Sequence, residues 1–211
     1  MKLKLLLLIL TLFIIGCTTR RKDFDSIEMM AYNWSIYNDT TREMAPVFFK
    51  CRMYVKIDES GVGNVYKYSG YPKPSTSLFS LAIEKKLIDR ILNSAIIIDT
   101  SELIKERRKP RIYDGPTIKL RIKYFKNESR LFDFIEDHDI NEIHNFLQLY
   151  YYLDSVYVSK KYNPISDIIV FEKNRLDFIN FIMNYDTTTY PKVPPPSPVD
   201  SIRVIYQTPT K

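Results

Sequence analysis

The chain has 211 residues, of which 45% are hydrophobic and 27% charged, so it suffices for one hydrophobic core and falls short of two. Only 5 residues are glycine, which argues against a glycine-rich phosphate-binding loop. The formal net charge of +6 is mild, and nucleic acid is not an expected partner.

The N-terminal segment has the pattern of a secretory signal. Two lysines precede an aliphatic run at residues 5–15, and the run ends at Ile14-Ile15-Gly16-Cys17. A membrane-spanning helix needs roughly 20 apolar residues, so the run is too short to be one. An uncleaved anchor and a buried core helix are the alternatives. Thr11 interrupts the run, which disfavours an uncleaved anchor. The run has almost no polar face, which disfavours a buried core helix.

The closing residues of this segment resemble the lipobox of bacterial lipoproteins. The resemblance implies that the chain is cut before Cys17 and that Cys17 carries fatty acyl groups such as palmitate. Because Thr18 is not aspartate, it also implies an outer-membrane lipoprotein of the cell envelope, on its periplasmic or surface side. We therefore predict a signal peptide at residues 1–16 and a tether at 17–25. A single domain at 26–185 and a proline-rich tail at 186–211 follow.

Strands dominate the first part of the predicted domain. Aromatic and aliphatic residues indicate strands at residues 27–36, 48–58 and 64–68, with Gly61 and Gly63 in the hairpin turn between the last two. Cys51 belongs to an apolar series, with Met53, Val55 and Ile57, that alternates with mostly polar residues. This pattern predicts that the thiol of Cys51 is buried and is not a nucleophile. A disulfide with Cys17 would require that the lipobox interpretation is wrong.

Helices and a second hairpin are predicted next. Ser80 is the expected N-cap of a helix at residues 81–94 with an apolar stripe: Leu81, Leu87, Ile88, Ile91, Leu92 and Ala95. Residues 96–116 look irregular, with a helical turn at 102–107. Polar and apolar side chains alternate strictly at residues 117–124, which predicts a half-buried strand. A second strand of the same hairpin is predicted at residues 130–135.

The C-terminal third is less regular. Asp139 and Glu142 resemble a capping box that opens a helix ending near residue 156. Residues 165–184 fit either two strands or a helix with four inward positions: Ile168, Leu176, Ile179 and Met183. Five prolines at 190–198 predict an extended spacer. Residues 199–206 are then expected either to form an edge strand or to remain unpaired with the sheet. The expected fold is α+β, an antiparallel sheet of hairpins with two or three helices packed on one face.

This order of elements resembles a domain-of-unknown-function family of bacterial lipoproteins. The resemblance covers residues 26–155 and includes Cys51 and Tyr54 on the second strand, the glycine hairpin, and Asp114-Gly115-Pro116-Thr117 before the second hairpin. Lys50 and Arg52 stand where the family has glycine and proline. The resemblance implies a fold and no activity.

Catalytic motifs are absent from the sequence, including the serine-hydrolase elbow and the zinc-protease motif. His138 and His144 lie among acids and could hold a metal, but acids also gather at helix N-termini, and a spacing of six splays the two rings. No metal or cofactor is expected. Five aromatic residues of the first strands are the candidate binding surface if they share an exposed face: Tyr32, Trp34, Tyr54, Tyr66 and Tyr68.

Two functions remain open on the sequence alone. The first is a non-enzymatic envelope module that binds a protein or a glycan, and adjacent tyrosines at residues 150–152 would suit a protein interface. The second is an envelope hydrolase whose site uses dispersed carboxylates: Asp114, Asp133 and Glu136. Two carboxylates facing each other in a cleft would favour the hydrolase.

Overall fold

The computed structural model describes residues 24–36, 47–70, 74–107, 115–125, 128–136 and 140–189. The chain divides into two compact units, residues 1–168 and 169–211. The first unit contains the sheet and three helices, and the second contains most of one long helix. The predicted α+β class is confirmed.

Six antiparallel strands form one sheet in the order β4-β3-β2-β1-β5-β6. Alternating apolar residues specify the strands because successive side chains point to opposite faces. Their bounds are β1 Phe24–Ile36, β2 Val47–Asp58, β3 Val62–Ser69, β4 Ser75–Ala82, β5 Thr117–Tyr124 and β6 Ser129–Phe134. The β2–β3 hairpin occurs where it was predicted, and Gly61 supplies the positive φ of its turn, at 85°.

One face of the sheet packs against the helices. Its apolar side chains form a single core with the buried sides of α1 (Lys85–Ile97), α2 (Thr100–Arg107) and α3 (His144–Ser159). The sheet contributes Met29, Val55, Leu120 and Phe132 among others, all 0% exposed. Burying such side chains contributes about 1.5–3 kcal/mol each, so this face contributes strongly to the stability of the fold. We call it the helix face.

The predicted first helix and its cap need correction. Ser80 lies in β4, where its backbone N–H and C=O pair with Asn163 at 2.7 and 2.8 Å. The helix α1 begins at Lys85 after Glu84, without a side-chain cap. Leu81 therefore belongs to a strand, whereas the remaining residues of the predicted stripe are buried on α1. The strand was missed because serines and a nearby proline resemble a loop.

Two later predictions also change. A short 3-10 turn at Asn141–Ile143 leads into α3, and neither element begins with a side-chain cap, so the predicted capping box does not open the helix. Asp139 itself lies outside the described residues. Most of the segment 165–184 belongs to a helix, α4 (Ile168–Thr189), which confirms the helical alternative. Three of the four predicted inward positions are wrong, because Ile168, Leu176 and Met183 are exposed, whereas Ile179 is half-buried. The buried residues of α4 include Phe171, Phe178 and Ile182.

The other face of the sheet is buried as well. The strand at 117–124 was expected to be half-buried, yet Lys119 is 0% exposed and Thr117 is also buried. A bulge in β2 skips Arg52, so that Ala31 lies opposite Met53 and Tyr32 lies opposite Cys51. Because the bulge reverses the alternation, Cys51 shares the face of Tyr32 and not the helix face.

Candidate functional site

The buried carboxylate of Glu28 organises this second face, which we call the charged face. Its Oε1 accepts a hydrogen bond from the Tyr54 hydroxyl at 3.1 Å. Its Oε2 accepts from Arg121 Nε at 2.9 Å and Nη2 at 2.6 Å, and Lys123 Nζ lies 3.2 Å away. Burial, reinforced by the charge of Glu28, raises the pKa of the Tyr54 hydroxyl. The phenol therefore remains a hydrogen-bond donor at neutral pH.

A second buried ion pair lies beside Glu28 on the same face. Lys119 of β5 is opposite Asp133 of β6, and Lys119 Nζ lies 2.6 Å from Asp133 Oδ2. Asp133 is one of the carboxylates proposed for a hydrolase, and the structure gives it a lysine partner inside the sheet. Glu136 is half-buried just beyond β6, and Asp114 lies outside the described residues. The structure therefore assigns Asp133 to a buried ion pair.

The predicted aromatic surface is only partly exposed. Tyr54 and Tyr66 are cross-strand partners, and alternation places Tyr32 and Tyr68 on the same charged face. Tyr32 is 1% exposed and stacks on Phe49 with ring centroids 4.6 Å apart, and Tyr54 is 0% exposed. These two rings fill the sheet face.

Tyr66 and Tyr68 are half-buried, so part of each side chain lies at the surface. Lys50 Nζ lies 4.6 Å from the centroid of the Tyr68 ring, which occupies one side of that ring. The backbone of Trp34 is paired opposite Phe49, and its side chain lies outside the described part of the chain.

Cys51 is buried, as predicted, although on the charged face. We expect a thiol reagent to label it slowly in the folded protein and rapidly after denaturation, because the reagent must reach the sulfur. The measurement compares labelling rates with and without denaturant in a Cys17→Ser variant, which retains one thiol. Equal rates in the two conditions would identify Cys51 as an accessible, reactive thiol.

The histidine pair does not form a described metal site. His144 is exposed at the start of α3, and His138 lies outside the described residues. Within the ranges that the structure describes, no three histidine, cysteine, aspartate or glutamate side chains converge as a metal site requires.

A groove of about 410 Å³ runs between α1 and α3. We call it the helical groove, and its lining residues are Glu84, Leu87, Arg90, Gln148, Tyr151, Tyr152 and Ser155. The two helices share the main core and are joined by Asn145 Nδ2, which donates to Ser94 Oγ at 2.8 Å. Tyr151 is 48% exposed. Partial burial, with a smaller contribution from Glu84, raises the pKa of Tyr152.

A second concave region, which we call the basal cleft, lies at the end of the sheet where β1 begins. Its volume is about 600 Å³. The floor is buried and mostly apolar, and consists of Phe24, Gly61, Ile83 and Ile88. The rim is exposed and consists of Glu59, Ser60, Lys85 and Phe125. Sequence patterns missed this cleft and most of the helical groove because their residues come from distant segments.

No protein-family model matches the chain, and no curated protein matches it. The predicted lipidation site, Cys17, lies outside the described residues. Among the helices in the described ranges, none is both long and apolar enough to cross a membrane.

Proposed function

We propose that this chain is a lipid-anchored envelope lipoprotein of the outer membrane and that its domain binds a protein partner without catalysing a reaction. The anchor is the acylated Cys17, as the lipobox resemblance implies. Phe24, the first residue of β1, follows Cys17 by seven positions in the chain. At the reach of an extended chain, this tether holds the domain within about 25 Å of the lipid.

The helical groove is the observation that carries the binding function. It combines exposed tyrosine and arginine side chains with the buried Leu87, and tyrosine and arginine are enriched where protein interfaces are most sensitive to substitution. Both helices that form it belong to the main core, so the groove is pre-organised. A rigid site binds at a lower entropic cost than one that must first become ordered.

Two features favour a protein over a glycan. Exposed Tyr151 and half-buried Tyr152 line the groove together with exposed Glu84 and Arg90. These charged side chains supply hydrogen-bond partners for a polypeptide. The half-buried Tyr68 on the sheet already contacts Lys50, so one side of its ring is not free for a sugar.

The test is cross-linking and purification of the lipidated protein from its own envelope, with variants of the groove. Replacement of Tyr151 by alanine together with Arg90→Glu is expected to lower recovery of the partner on the order of thirtyfold, as for a residue that dominates an interface. The control variant is Val158→Ala, because Val158 is exposed on α3 outside the groove lining. Equal recovery with both variants would contradict the proposed site.

The anchor has a separate test. We expect Cys17→Ser to abolish acylation and to leave the protein unprocessed or misplaced, because the sulfur is the atom that carries lipid. Mass spectrometry of the mature N-terminal peptide checks this directly. An unmodified Cys17 in mature wild-type protein would contradict the lipoprotein proposal.

A further inference from the structure

We propose that the basal cleft binds one acyl chain of a zwitterionic membrane phospholipid, with the head group at its rim. This inference rests on the proposed lipid anchor, which brings the cleft to the bilayer. Its volume of about 600 Å³ lies within the range typical of small-molecule sites. The division into an apolar floor and a polar rim matches an amphiphile and not a wholly polar ligand.

The floor is suited to a hydrocarbon chain. Phe24 begins β1, Ile83 precedes α1, and Ile88 lies on the first turns of α1, so two distant segments supply one apolar surface. Phe125 continues this surface to the outside and is 48% exposed. Covering an exposed phenylalanine with an acyl chain removes apolar area from water, which favours binding.

The rim carries charges of both signs. Glu59 provides a carboxylate and Lys85 an ammonium group, and both side chains are exposed. A zwitterionic head group presents a phosphate and an ammonium, which complement this pair. A purely anionic head group would place like charge near Glu59. The rim therefore selects the zwitterionic lipid.

The β2–β3 turn, which places Glu59 at the rim, is fixed by hydrogen bonds within the protein. The Asp58 carboxylate accepts hydrogen bonds from the backbone N–H groups of Ser60 and Val62, both at 3.0 Å. The turn is joined to the start of the helix because Ile83 N–H donates to the Gly61 carbonyl at 2.8 Å. These bonds fix the turn before any ligand arrives.

The position of the cleft completes the argument. Phe24 lies on the floor and follows Cys17 by seven residues, so the cleft is within about 25 Å of the anchored lipid. A bilayer at that distance supplies acyl chains at high local concentration, which makes even weak binding effective.

The experiment uses the mature protein, purified from its own envelope, in phosphatidylcholine vesicles that contain a trace of phospholipid with a photoactivatable acyl chain. We expect peptide mapping to locate the label at Phe24, Ile83, Ile88 or Phe125. Phe125→Ser and Lys85→Glu should each lower this labelling, Phe125→Ser on the order of tenfold. The matched controls are Leu176→Ser, since Leu176 is similarly exposed at 52% and lies outside the cleft lining, and Lys86→Glu on the adjacent helix position.

Labelling that is spread over the surface, or that survives Phe125→Ser unchanged, would overturn the inference. Equal labelling in phosphatidylglycerol vesicles would overturn the choice of a zwitterionic head group. The mass of the Cys17 peptide in the same digest separates the two proposals. Acylated Cys17 with an unlabelled cleft overturns the cleft alone, whereas a labelled cleft with unmodified Cys17 supports the cleft and overturns the anchor.

Discussion

Replacement of Glu28 by alanine should lower the free energy of unfolding by about 3–5 kcal/mol, the usual cost of removing one partner of a buried ion pair. The side chain of Glu28 is 2% exposed and accepts bonds from Arg121 and Tyr54. Its loss leaves a guanidinium and a phenol in a buried site without their carboxylate. Urea unfolding of the wild type and the variant measures the difference.

Two further variants make this result specific. Glu28→Gln keeps the shape and an oxygen acceptor for Tyr54 but removes the charge, so its effect should be smaller than that of alanine. Glu59→Ala removes an exposed carboxylate and should change stability by no more than about 0.5 kcal/mol. A Glu28→Ala variant as stable as Glu59→Ala would show that the charged face is not a structural network.

Lys119→Met should also cost about 3–5 kcal/mol, because it leaves the Asp133 carboxylate buried without its lysine. The double variant Lys119→Met, Asp133→Leu should recover much of this loss, since two well-packed apolar side chains often replace a buried ion pair at little cost. The measurement is again equilibrium unfolding, with exposed Lys86→Met as the surface control. A double variant that is less stable than Lys119→Met would contradict the pairing.

These effects bear on the hydrolase alternative. A carboxylate that works as an acid or base must reach a substrate, and a buried ion pair restricts that access. Asp133 is 3% exposed and bound to Lys119. Replacement of Asp133 is therefore expected to lower the free energy of unfolding. Replacement of a catalytic residue would instead lower the reaction rate alone.

Several features of the candidate sites were visible in the sequence. The run of tyrosines at residues 150–152 indicated a surface at that helix, and Tyr151 and Tyr152 line the helical groove. Arg90 and Glu84 could not be assigned to the same groove, since their distance from α3 in the chain hides the contact between α1 and α3. The basal cleft shows the same limit, because its floor joins Phe24 to Ile83 and Ile88.

Local pattern by itself determined most of the elements. Alternation located β2 and β5, aromatic and aliphatic content located β1, and the turns that follow β2 and β5 located β3 and β6. A spacing of three and four located the buried side of α1. Alternation also predicted that Cys51 is buried. These features depend on residues close in the chain, whose side-chain directions follow from strand and helix geometry alone.

Only the tertiary structure decided whether the polar residues of the strands are buried and which residues they pair with. Lys119 and Arg121 have the spacing of solvent-facing residues, yet pairing of β5 with β6 and with β1 brings Asp133 and Glu28 beside them. The bulge after Cys51 changed its face without changing its burial. An alternation of period two shows which side chains of a strand share a face. Buried charges also need partners of opposite charge, and here those partners come from strands that are far apart in sequence.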